Sequence, residues 1–448
     1  MAQSNGKKLL TTMMLMVVSA AMATSVVQAG DWPHWRGPFF NGSSDEKNLP
    51  SQWSMSENIA WSADLPDGAA ATPIVCGDQV FVAGVDAAKD VLLAICFDRR
   101  SGKLLWQHDV AEGIQKDNRS NYASSSPVAD GKLVVFFYGN GDLVCFNLDG
   151  STRWRRNIQK DYGPFAFQWT FSSSPTLYNG TLYLPVLQRD VAVRQYGLKD
   201  RENQSYLLAV DPQNGKTLWR QIRSSPAVGE SRESFATAIP FEHKGQKQLL
   251  VAGGDVLSSH DPASGRELWR GGDYNSARVN HWRLVPSPVA GDGIVLVCAP
   301  KHEPLYAVEA DGGTTGGQHA NAWVSRDVKE LTSDVPTPAF YDGDFFVLSD
   351  LRKILSRVEP RSGKPKWVVN TPGSAKYEAS PLVADGKIYL INFSGQAAIF
   401  SAANGKLLRV ISMEKTTDHD PVRASISAAN GQLFIRTTRK LYCVGKGS

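Results

Sequence analysis

Charge of one sign is scarce in this chain. Its 448 residues hold 48 Lys and Arg against 44 Asp and Glu, a net of +4, and only 21% of positions are charged. That balance excludes a mainly disordered, highly charged chain and gives no support to an extended nucleic-acid surface. Histidine is sparse, eight residues scattered singly. No His-Glu-x-x-His, Gly-x-Ser-x-Gly, phosphate-binding loop or calcium-loop pattern occurs. Long helical patterns are missing too: no segment keeps a 3.6-residue apolar period for three turns, so helical repeats are excluded. The five cysteines include no adjacent pair and no Cys-x-x-Cys-His haem site.

Those cysteines read as buried free thiols. Cys96, Cys145 and Cys443 occupy one repeat position that elsewhere holds Ala209, Ser259 and Ala307, a slot for a small side chain. Equivalent strands of neighbouring repeats stand too far apart for a disulfide. Residues 1–29 read as an export signal. Lys7 and Lys8 precede an uncharged stretch from Leu9 to Val27, and Val27-Gln28-Ala29 offers a cleavage site. The other reading of that stretch is an uncleaved membrane anchor. No later stretch is apolar enough to span a bilayer, so the expected mature protein is periplasmic or secreted, without an integral membrane segment, and a monomer.

Glycine and tryptophan are plentiful, at 39 and 12 residues, and they fall in a repeat. An apolar strand leads to an acidic or polar residue, then a Gly, then a Trp four residues after it. Examples are LLAICFDRRSGKLLW at 92–106, LLAVDPQNGKTLW at 207–219 and ILSRVEPRSGKPKW at 354–367. In AAIFSAANGKLLR, Arg409 stands where Trp is expected. Between these motifs Ser or Thr followed by Pro opens a second strand, as at Ser126-Pro127, Ser174-Pro175 and Ser380-Pro381. Asn-Gly or Asp-Gly turns then follow, the strongest short hairpin signal. Four antiparallel strands per 40–50 residues is a propeller blade. Seven full units remain flanked by a lone Trp strand at 59–65 and three strands in 423–445. The expectation is therefore an all-β, eight-bladed β-propeller over 59–448, closed by N- and C-terminal strands, with residues 30–58 as a strap packed through Trp32, Trp35 and Trp53. A plain tether is the simpler reading of that segment.

The Asp…Gly…Trp turn, as in AVDPQNGKTLW, resembles the tryptophan-docking repeat of pyrroloquinoline-quinone-type propellers. DWPHWRGP at 31–38 is similar to the lead-in of bacterial secreted members. That resemblance implies one of three things: a quinone-dependent alcohol or sugar dehydrogenase, a scaffold of outer-membrane assembly, or a binding module. Alcohol-oxidising members place an adjacent cysteine pair over the quinone and need a Ca²⁺ set, and neither motif is found here. No cofactor is expected, with pyrroloquinoline quinone and Ca²⁺ as the alternative, and no metal ligands are assigned.

A ligand, small molecule or protein, is expected at one mouth of the ring, where the innermost strands begin. Counting five residues back from each Ser or Thr selects Asp67, Asn121, Trp169, Arg232, Trp282, Thr332, Ala375 and Asp420. Slightly deeper positions add Asp334, Glu378 and Arg423. Asn121, Trp169, Arg232, Trp282, Asp334, Glu378 and Arg423 are the candidate binding residues, able to stack on a planar ligand and to pair with an anionic one. No catalytic residue is assigned. The plainer reading makes the tryptophans loop packing and the charges a solvated rim.

Overall fold

The computed structural model describes residues 30–311, 314–315, 318–413 and 421–446. The expected signal segment and Asp420 therefore lie outside the described residues. Eight sheets surround a central axis, each built on a blade of four antiparallel strands ordered from the centre outward; the blade that begins at Ile239 is extended at its outer edge by Gln318–His319, paired parallel, and Thr314–Thr315. Blade 1 runs from Ile74 to Glu112 and blade 2 from Val128 to Asn157. Blades 3 to 7 begin at Thr176, Ile239, Val289, Ala339 and Leu382. Blade 8 takes three strands from Ser427–Val444, and its outermost strand is Ile59–Asp64, paired antiparallel with Lys440–Val444. Among the described residues the α-helix Ile158–Tyr162 and the 3₁₀ turn Gly229–Arg232 are the helical elements. No helix of the described residues is long and apolar enough to cross a membrane.

Local chemistry sets each blade. The Ser/Thr-Pro step starts the innermost strand, because the residue before Pro is pushed to extended backbone and Pro brings no N–H to an edge with no strand beyond it. The hairpins that follow use positive φ at both turn residues, as at Asn179 (48°) and Gly180 (73°) or Asp385 (52°) and Gly386 (67°), the geometry whose twist matches that of the strands. The apolar core lies between blades, where facing sheets pack as separate clusters around the ring.

Six motif Trp residues dock onto the Gly turn of the next blade. Trp154 Nε1 donates to Pro212 O at 2.8 Å, and a Cβ on Gly215 would stand 2.7 Å from its ring. Trp61, Trp106, Trp219, Trp323 and Trp367 repeat the arrangement on Gly102, Gly150, Gly265, Gly363 and Gly405. Trp269 instead donates to Gln248 Oε1 at 2.8 Å, and the glycines of the turn it would meet lie outside the described residues. Arg409 has a clear reason. In blade 8 the fourth strand is Ile59–Asp64, which does not follow the third through a turn, so among the described residues no Gly turn joins those two strands to receive a ring. Arg409 donates to Gln52 Oε1 at 3.1 Å instead. All five cysteines are buried and free, with Cys96, Cys145 and Cys443 directly opposite Trp106, Trp154 and Trp61.

Candidate functional site

The lead-in segment does more than strap the ring: residues 31–43 enter the central channel. Trp32 exchanges both backbone hydrogen bonds with Val75 of blade 1, at 2.9 Å each. Pro33 O accepts from Ala129 of blade 2, Asn41 O from Phe340 of blade 6 and Gly42 O from Val383 of blade 7. Arg36, 2% exposed, donates to Pro338 O at 2.7 Å and Pro381 O at 3.2 Å. Burial without a carboxylate partner draws its pKa down to about 9. The chain then leaves on the side of the blade hairpins, where Glu46 accepts from Gly431 N and Asp385 accepts from Leu49 N. One end of the channel is thus plugged.

The other end is a blind cavity of about 390 Å³ with Trp35 among its lining residues, within the usual size range of small-molecule sites. Its walls are sharply divided. On one side Trp169, Phe235 and Arg283 stand together, with the Arg283 guanidinium 5.8 Å from both ring centres. Trp169 Nε1 donates to Glu230 at 2.9 Å, and Arg283 also pairs with Glu230. Behind them Glu233 is buried against Arg189 at 2.6 Å. Its pKa is raised by burial, with Arg189 opposing.

The opposite wall is ionic. Glu378 pairs with Arg423 and with Lys376 at 2.8 Å, while Arg119 stands 3.7 Å away. Lys376 also reaches Asp350 at 3.2 Å. Burial lowers the Lys376 pKa, but Glu378 and Asp350 more than offset this and hold it above the ordinary lysine value. Arg423 is drawn below its ordinary value by burial, with Glu378 opposing, and lies over the Phe393 ring at 4.5 Å. Between the two walls Asp334 accepts from Lys301 N at 2.8 Å and Nζ at 3.1 Å. Five cations thus face the space against two carboxylates.

The structure brings together Trp169, Asp334, Glu378 and Arg423 and leaves three candidates off this wall. Asn121 is buried, donates to Gly68 O at 2.8 Å, and lines a smaller neighbouring cavity of about 210 Å³. Arg232 pairs with Asp190 at 3.1 Å. Trp282 is half-buried on its loop, its amide donating to Ser231 Oγ at 2.9 Å. Asp67 pairs with Arg439, and Thr332 donates to Lys301 O. Counting missed Trp35, Arg119, Phe235, Arg283, Lys301 and Lys376, because a fixed offset assumes loops of equal length. The neighbour of Trp282, Arg283, was the nearest available signal.

A calcium-bound quinone does not fit these donors. Asp334 and Glu378 are each held by lysine or arginine, and no group of three His, Cys, Asp or Glu among the described residues could hold a metal ion. The cysteines lie buried in strands and none lines the cavity.

Comparison with known proteins bears on the family and the fold. A family model described as the outer membrane protein assembly factor BamB matches residues 51–188 and 203–446. No curated protein matches the chain. Among solved structures, a europium-containing methanol dehydrogenase is similar at TM-score 0.65 and 10% identity, over 92% of this chain and 91% of that one. The quinohemoprotein alcohol dehydrogenase of Comamonas testosteroni gives 0.60 and 13%, over 95% and 82%. BamB from Moraxella catarrhalis gives 0.54 and 12%, over 86% and 99%. At such identities these likenesses speak for the fold alone.

Proposed function

This chain belongs to the quinone-type propeller family whose model is described as the outer membrane protein assembly factor BamB, and from that premise we propose that it is an exported, non-catalytic binding module taking a small ligand in its central cavity. The observation that carries this reading is the blind cavity itself, with Trp35, Trp169 and Phe235 beside a ring of cations. Aromatic faces supply stacking area, and fixed guanidinium groups supply orientation. A plugged channel favours a small molecule over a protein segment passing through.

Native mass spectrometry of the exported protein tests this. A bound small molecule is expected, and Trp169→Ala should release it. Adding pyrroloquinoline quinone and Ca²⁺ with an artificial electron acceptor should give no alcohol or aldose oxidation. Turnover that needs both additions and disappears in Glu378→Gln would replace the module reading with a quinone-dependent oxidoreductase.

A further inference from the structure

The Ser and Thr residues that open the innermost strands form a belt. Thr72 N–H donates to Ser126 Oγ at 2.9 Å, and Ser126 N–H to Ser174 Oγ at 3.0 Å. Thr237 N–H donates to Ser287 Oγ, Ser287 N–H to Thr337 Oγ1, and Thr337 N–H to Ser380 Oγ, at 2.8–3.0 Å. Ser380 N–H reaches Ser425 Oγ at 3.0 Å, and Ser425 N–H returns to Thr72 Oγ1 at 3.1 Å. These seven links run the same way round the ring, from the amide of one blade to the hydroxyl of the next; between blades 3 and 4 the crossing is made instead by Thr176 Oγ1, which donates to Ala238 O at 2.6 Å.

In each of the seven links the hydroxyl oxygen is the acceptor. A hydroxyl that accepts still carries its own proton for donation. Six of these hydroxyl-bearing residues line the cavity: Ser126, Ser174, Thr237, Thr337, Ser380 and Ser425. The belt therefore brings six hydroxyl-bearing residues to the cavity lining. Among the lining residues positive charge is in excess, Arg119, Arg283, Lys301, Lys376 and Arg423 against Asp334 and Glu378, while Glu230, Glu233 and Asp350 behind the walls pair with Arg283, Arg189 and Lys376. Hydroxyl donors beside cations stabilise a group that only accepts.

We propose that the belt is an oxyanion receptor: the cavity ligand carries a carboxylate or phosphate that sits against these hydroxyls. This rests on the reading of the cavity as a ligand site and adds the chemical class. Ser287 supplies the control. It belongs to the belt in the same way, accepting from Thr237 and donating to Thr337, but does not line the cavity.

The test is calorimetric titration of the mature chain with citrate, inorganic phosphate and neutral inositol. Citrate or phosphate should bind, the stronger of the two naming the source, with affinity falling as salt is raised. Ser126→Ala and Ser380→Ala should each weaken binding about tenfold, the weight of one hydrogen bond to a charged group. Ser287→Ala should lower the melting temperature as much as Ser126→Ala and leave affinity unchanged. Equal loss of affinity in Ser287→Ala, or none in Ser126→Ala and Ser380→Ala, would overturn the receptor. Inositol binding that is lost in Trp169→Ala, without anion binding, would overturn it while keeping the cavity as a ligand site. No binding of any of the three would count against both.

Discussion

Gly180 and Gly215 have the same backbone, φ 73° and 74°, and opposite surroundings. Nothing lies within 4 Å of a Cβ on Gly180, whereas one on Gly215 meets Trp154 at 2.7 Å. Gly180→Ala should cost about 1–2 kcal/mol, the strain of a left-handed alanine. Gly215→Ala should cost at least about 1 kcal/mol more, because ring and turn must separate. Urea unfolding of the two variants checks this, and equal losses would mean the Trp contact contributes nothing. Two histidines make stability depend on pH. Burial draws His34 down to about 3 and His260 to about 4, from 6.5. Both stay neutral in the fold while the unfolded chain takes up protons below about 6.5. Their contribution is therefore present above pH 6.5 and is lost as pH falls toward 4, by about 2–3 kcal/mol per residue at pH 4.5. The fall in melting temperature from pH 7 to 4.5 should be shallower in His34→Gln than in the natural chain.

The strand motifs were legible because each acts locally or on the adjacent repeat. Ser-Pro sets an edge, Asn-Gly sets a hairpin, and Gly with Trp sets a seam, so seven full units and two complementary fragments spell eight blades. The docking Trp can be weighed directly. Trp61 is 8% exposed and donates to Arg99 O at 2.7 Å, so Trp61→Ala should cost about 3–5 kcal/mol. Arg409→Ala removes an exposed contact and should cost under about 1 kcal/mol. Chemical denaturation of both separates the two kinds of seam. The plug was not legible in this way. Its Arg36 answers to carbonyls 302 and 345 residues away, and backbone carbonyls leave no mark in a sequence. The cations of the cavity escaped notice for a related reason, since loops of unequal length bring them to one mouth. Arg119 and Arg423 meet at Glu378 from opposite ends of the chain.

Closure of the ring depends on the longest-range strand pairing among the described residues, Ile59 with Val444. A chain beginning at residue 66 would lose this strand and the plug together, leaving blade 8 with an open edge. It should aggregate, while a chain beginning at residue 51 keeps the strand and should remain dispersed at a lower melting temperature. Light scattering during heating distinguishes the two. The plug has a further consequence for cooperativity. Repeat arrays in which each unit touches only its neighbours fray from the ends inward, one unit at a time. Here residues 31–43 hold blades 1, 2, 6 and 7 at once, while Phe40 meets Tyr178 of blade 3 at 6.0 Å. A hub of this kind ties distant spokes to one event, so blades 1, 2, 6 and 7 cannot melt without loosening contacts shared across the wheel.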